Sequence, residues 1–213
     1  MQTKGVLVVV SGFSGAGKGT VMKALLEKYD NYALSVSATT RSPRPGEENG
    51  REYFFLTESQ FEDMIRNDEL IEHARYVDHY YGTPKKYVEE KMAAGKDVIL
   101  EIEIQGALNI KKKFPDALLV FIVPPTAEDL KKRLIGRGTE SAEVIEKRLR
   151  RAAEESDGMD SYDYIVVNDD VDTCVEDLHS LIRSSHFKES ANTDLVARMK
   201  QELHDMTKYR MYP

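Results

Sequence analysis

The segment Gly12-Phe13-Ser14-Gly15-Ala16-Gly17-Lys18-Gly19-Thr20 limits what this chain can fold into more than any other part of it. It follows the apolar, β-branched run Val6 to Val10 and opens a stretch, residues 18 to 28, in which Val21, Ala24 and Leu25 share one helical face. In that context the glycines let the backbone curl until successive N–H groups point inward. The helix N-terminus adds positive potential, and Lys18 extends the cradle. The unit reads as a phosphate-binding loop, and a strand apolar on both faces belongs inside a parallel sheet covered by helices.

The strand signature recurs at Asp97 to Ile102, Ala117 to Val123 and Tyr164 to Val167. Helical spacing appears at Leu130 with Leu134 and at Val175, Leu178 and Ile182. Alternating strands and helices predict an α/β fold with helices on both faces of the sheet. Two stretches break the rhythm. Residues 37 to 84 contain the string ATTRSPRPGEENGREYFF, whose two prolines and two glycines exclude a regular helix. A short helix with Phe61, Met64 and Ile65 on one side follows, then a strand-like piece, Leu70 to Val77. This whole stretch reads as a small subdomain emerging from the strand ends. Residues 125 to 157 carry Arg133, Arg137, Arg148, Arg150 and Arg151 with a Gly-Arg-Gly break at 136 to 138, the composition of a mobile, anion-facing flap. Residues 1 to 36, 85 to 124 and 158 to 213 remain for the core, ending from about Lys188 in a polar tail or peripheral helix.

Of the 213 residues, 41% are hydrophobic, enough for a packed core. The 37 acidic against 30 basic residues leave a net charge of -7, which repels a nucleic-acid backbone and an anionic membrane. An anionic ligand therefore needs a local basic cluster. The longest apolar runs fall well short of the roughly 20 residues that span a bilayer. The start, MQTKGVLVVVSG, lacks a signal peptide's cleavage site. Cys174 is the one cysteine and forms no internal disulfide, as suits a reducing compartment. These features predict a cytoplasmic protein with neither nucleic-acid nor membrane partners, and leave the oligomeric state open. The five histidines show no paired metal spacing, so they and Cys174 read as structural.

Six blocks in order resemble the guanylate kinases: SGFSGAGKGT, SATTRSPRPGEENGREYFF, IEHARYVDHYYGTP, VILEIEIQG, LKKRLIGRGTES with EKRLRRA, and DYIVVNDD, spanning residues 4 to about 186. The resemblance implies a P-loop nucleoside monophosphate kinase fold, a parallel sheet flanked by helices. It also implies a GMP-binding subdomain at 37–84 and a mobile lid at 125–157. The activity it implies is direct in-line transfer of the γ-phosphoryl of Mg-ATP to GMP, with dGMP a further acceptor, as the lid closes.

By that resemblance Gly12, Ser14, Gly15, Ala16, Gly17, Lys18, Gly19 and Thr20 hold ATP, joined by Arg133, Arg137 and Asn168. Lys18, Arg41, Arg133, Arg137 and Arg148 are the implied catalytic residues. Arg41, Arg44 and Tyr53, with Tyr81, grip the GMP phosphate, as two guanidinium forks and a phenol can saturate a dianion. Glu72 reads the base, because guanine offers N1–H and the N2 amine to one carboxylate whereas adenine meets it with a lone pair. Ser37 and Thr83 help to hold the guanine. Glu101, assigned to GMP binding, ends with Glu103 a strand where such sheets bind ligands, and the pair could orient the metal-water shell or the sugar and the incoming phosphate. Gly19 stands where the usual loop has a metal-binding hydroxyl. Magnesium is therefore assigned to ATP phosphates and water, with Thr20 the candidate protein ligand.

Plainer roles exist for several of these residues. Arg41 and Arg44 suit a solvated turn, Tyr53 and Tyr81 suit packing, and Glu101 with Glu103 suits a solvated pair. Lid arginines could pair with Glu140, Glu143 and Glu146, which is how Arg150 and Arg151 are read, and Asn168 could cap the next helix. Two rival functions are a guanylate-kinase-like module that binds a phosphopeptide and a kinase for another small phosphate acceptor. The retained Lys18, Thr20 and lid arginines count against the first, and Glu72 with Ser37 against the second.

Overall fold

The computed structural model describes residues 4–76, 78–136 and 141–208. Its main sheet has five parallel strands in the order β2-β7-β1-β8-β9. They are β1 (Leu7–Gly12), β2 (Tyr32–Leu34), β7 (Asp97–Glu101), β8 (Leu118–Val123) and β9 (Tyr164–Val167). β1 lies in the middle, with Leu7 opposite Val98 and Val8 opposite Leu118. Side chains alternate along a strand, so β1 feeds two cores. Val8 and Val10 pack with Leu25 of α1 (Lys18–Lys28) and Leu178 of α7 (Val171–Ser185), whereas Leu7 and Val9 pack with Val88 of α3 (Lys85–Ala93) and Ile110 of α4 (Ile104–Lys113). The α/β fold with helices on both faces is thus present.

A second sheet, ordered β4-β3-β6-β5, is built entirely from residues between 37 and 84. It comprises β3 (Ser37–Thr39), β4 (Tyr53–Phe55), β5 (Leu70–Tyr76) and β6 (His79–Pro84). β6 runs antiparallel to β3 and β5, while β4 runs parallel to β3. One helix, α2 (Glu58–Arg66), covers it. Thr57 and Gln60 form a reciprocal capping box at the helix start, and the buried Phe61 stacks on Tyr80 at 5.2 Å. The β5–β6 register shifts between Leu70 and His73. At that bulge two residues lie opposite Thr83: Ile71 packs into the main core, and Glu72, also buried, lines the cleft described below.

The arginine-rich stretch forms α5 (Ala127–Gly136) and α6 (Ala142–Ser156), and Arg137 lies outside the described residues. Leu130, Leu134 and Ala152 of these helices make a small core with Phe13 of the phosphate loop. The tail is a helix, α8 (Thr193–Lys208), whose principal neighbour is the 3-10 turn Glu189–Ala191. Among the described residues no helix is long and apolar enough to cross a membrane.

Phe121 of β8 is fully buried and meets Phe13 and Tyr162 edge-on, both at 5.0 Å. Phe121→Ala should therefore cost about 3–5 kcal/mol, measured as a fall in the urea midpoint, and a change below about 1 kcal/mol would contradict this placement.

Candidate active site

The turn from β1 into α1 is held by close approach from both sides. A Cβ on Gly12 would lie 2.3 Å from the Ile122 carbonyl oxygen, and one on Gly17, whose φ is 90°, would lie 2.4 Å from the Asn168 side-chain nitrogen. Only glycine fits such positions. The amide of Asn168, 3% exposed, donates to the Ala16 carbonyl at 2.8 Å. Arg133 of α5 donates to the Ala16 carbonyl at 3.3 Å and to the Asn168 carbonyl at 2.7 Å. Asn168 and Arg133 thus clamp the loop from behind. Lys18 donates to the Gly12 carbonyl at 2.5 Å, and Arg148 of α6 donates to the Ser14 hydroxyl at 2.6 Å. Thr20 and Gly19 are exposed in the first turn of α1, while Gly15 packs against Leu134.

The second sheet supplies a different chemistry. Glu72 is 8% exposed, and its carboxylate accepts a 2.9 Å hydrogen bond from the fully buried Thr83 hydroxyl. Burial raises its pKa above the ordinary carboxylate value, while the Thr83 hydrogen bond and the charge of Lys113 act in the opposite direction. Arg41 is held by both carboxylate oxygens of Glu47 at 2.9 Å, and its guanidinium lies 5.4 Å from the Tyr53 ring centre. The Tyr53 and Tyr81 rings stand 6.0 Å apart. Arg44 is exposed, and its backbone N–H donates to Glu47.

A cleft of about 690 Å³ joins these two regions. The phosphate loop contributes Gly12, Ser14 and Lys18, and the second sheet contributes Ser37, Tyr53, Glu72 and Tyr81. Glu101 and Glu103, at the end of β7 and the start of α4, lie between them. Thr83 and the loop residues Ala16 and Gly17 sit behind this wall. Among the described residues no three His, Cys, Asp or Glu side chains gather into a cage for a metal ion. The cleft instead offers separate hard oxygen donors, which suits magnesium that keeps most of its water ligands.

Residues 4–185 match the sequence profile of the guanylate kinase family. A guanylate kinase of Caldanaerobacter subterraneus subsp. tengcongensis is 48% identical over 202 residues, covering 95% of this chain and 98% of that protein. One from Lactococcus lactis subsp. lactis is 51% identical over 188 residues, covering 88% and 92%. The chain belongs to the guanylate kinase family. The crystal structure of guanylate kinase from Anaplasma phagocytophilum superposes with a TM-score of 0.70 at 32% identity, covering 88% of this chain and 89% of that one.

Two residues of this guanylate kinase escape sequence reasoning. Glu47 pins Arg41 and the Arg44 backbone, and its signal is an acidic residue within an arginine-rich turn. Arg151 does more than pair along its helix. It reaches Glu155 at 3.0 Å within α6 but also Glu103 at 3.6 Å, and it lines the cleft. Arg150, by contrast, pairs only with Glu146 among the contacts described for it.

Because burial raises the Glu72 pKa, the folded protein holds this proton more tightly than the unfolded chain. Ionisation therefore subtracts stability as pH rises from the ordinary carboxylate range through the raised value. Glu72→Gln should melt at a higher temperature than the parent at neutral pH, the difference shrinking on acidification. A lower melting temperature at neutral pH would contradict this.

Proposed function

We propose that this guanylate kinase transfers the γ-phosphoryl group of ATP to GMP, giving ADP and GDP, within the cleft between the phosphate loop and the second sheet. The observation that carries the placement is that Lys18 and Glu72 line one continuous cleft although they come from separate sheets. The loop with Lys18 takes the ATP phosphates, and Glu72 takes the guanine. Carboxylate oxygens accept N1–H and the N2 amine together, while adenine would leave them facing a lone pair. Thr83, whose hydroxyl donates a hydrogen bond to Glu72, orients that carboxylate, and Ser37 sits on the same wall.

Arg41, held against Tyr53 by Glu47, suits the GMP phosphate, with Arg44, Tyr53 and Tyr81 completing its surroundings. A GMP phosphate oxygen is already a nucleophile, so no general base is needed. It forms a bond to the γ-phosphorus as the bond to the β,γ-bridging oxygen breaks and ADP departs. Positioning and charge neutralisation by Lys18, Arg41, Arg133, Arg148 and Arg137 supply the catalysis. We read α5, α6 and the stretch between them as a lid that closes over ATP and excludes water, which protects the bound nucleotide from hydrolysis. Asn168, behind the loop, borders the adenine side.

Magnesium, when bound, would supply charge neutralisation at the ATP phosphates. The Thr20 hydroxyl and the carboxylates of Glu101 and Glu103 would hold it or its water shell. With ATP and GMP as partners and an acidic net charge, we place the enzyme in the cytoplasm, apart from nucleic acid and membranes.

ADP formation should be rapid with Mg-ATP and GMP, slow with AMP, CMP or UMP, and near silent without an acceptor. Strong release without acceptor would identify an ATPase, and silence with every acceptor would favour another substrate or a binding module. Lys18→Ala should lower kcat by about 10²-fold or more while GMP affinity changes little. Comparable loss of both would contradict the role assigned to this lysine.

A further inference from the structure

At the β5 bulge the ladder opposite Glu72 is interrupted. Leu70 is paired with Pro84, which has no N–H to give, and the register resumes only at His73 with Gly82. The Ile71 carbonyl lies in this gap and accepts a 3.0 Å hydrogen bond from the ammonium group of Lys113, the last residue of α4. Lys113 reaches across 42 positions of sequence to the residue immediately before the base-facing carboxylate. We propose that Lys113 is a positioning residue for guanine recognition, its ammonium anchoring the bulge that aims Glu72 into the cleft. The inference rests on the reading of Glu72 as the group that takes the base.

Electrostatics act in the same direction. Thr83 of β6 and Lys113 of α4 are the groups that favour the charged Glu72 carboxylate against its burial. Asp68, also within the influence of Lys113, is itself paired with Lys85 at 3.0 Å. Lys113 therefore both holds the backbone beside Glu72 and favours the charged form of its side chain, the form that accepts two N–H donors. Without the ammonium, the Ile71 carbonyl loses this donor and the carboxylate takes up a proton at higher pH.

The test is steady-state kinetics of the full chain and its Lys113→Met, Lys113→Arg and Glu72→Gln variants across pH. Lys113→Met should raise KM for GMP about 5- to 10-fold, the loss expected for one such hydrogen bond, with kcat and KM for ATP nearly unchanged. The acidic limb of its kcat/KM profile for GMP should move to higher pH, and Lys113→Arg should restore both values. A Lys113→Met enzyme with parental KM and pH profile, or with equal losses in every parameter and no shift of the limb, overturns the proposal. Glu72→Gln separates the two readings. If it leaves the preference for GMP over AMP intact, the assignment of Glu72 fails. If it abolishes that preference while Lys113→Met behaves as the parent, only the role of Lys113 fails.

Discussion

Close packing at the turn between β1 and α1 decides where everything else in the cleft can sit. The β8 backbone passes so near Gly12, and Asn168 so near Gly17, that a methyl group at either position would collide. Strand β8 is the inner neighbour of β1, and Asn168 follows β9, so the loop is shaped by the sheet beside it. Arg133 and Asn168 then occupy the Ala16 carbonyl from behind, leaving the front of the loop to the cleft. The same loop carries Phe13 into the small core of α5 and α6, so the helices proposed to close over ATP are packed against the loop itself. The preference of such loops for phosphate follows from their oriented N–H groups, whatever the later chemistry.

Glu72 shows the opposite economy, a buried carboxylate whose burial works against its charge and which is proposed to serve binding. Burial disfavours its charge, and the second sheet tolerates it through the Thr83 hydroxyl and the nearby Lys113 ammonium. A buried carboxylate with room for two more donors discriminates strongly between purines, because a mismatched base leaves its lone pairs without partners. A β-bulge sits at this point of the strand. The register shift leaves Ile71 and Glu72 together opposite Thr83, so from this point the strand departs from plain alternation.

Legibility in the sequence varied with the length and patterning of each element. Val6 to Val10 and Ala117 to Val123 read as central strands because both of their faces are apolar, and β1 and β8 lie there. Strand β2 has three residues and α3 buries only Val88, so neither carries a periodic signal long enough to recognise. The phosphate loop was readable because its chemistry is carried by contiguous residues. Glu47 and Arg151 were not, since their partners, Arg41 and Glu103, are chosen by how turns and helices fold back.

Contiguous pattern by itself determined the α/β class, the parallel sheet and the loop that meets phosphate, because backbone conformation and strand burial are dictated over a few neighbouring residues. Six motif blocks in order carried the family. Tertiary structure alone decided that Glu72 is buried, that the Thr83 hydroxyl donates to it, and that Lys113 donates to the Ile71 carbonyl beside it. Those contacts join residues brought together only by folding, and desolvation of a charge exists only once the fold has removed its water.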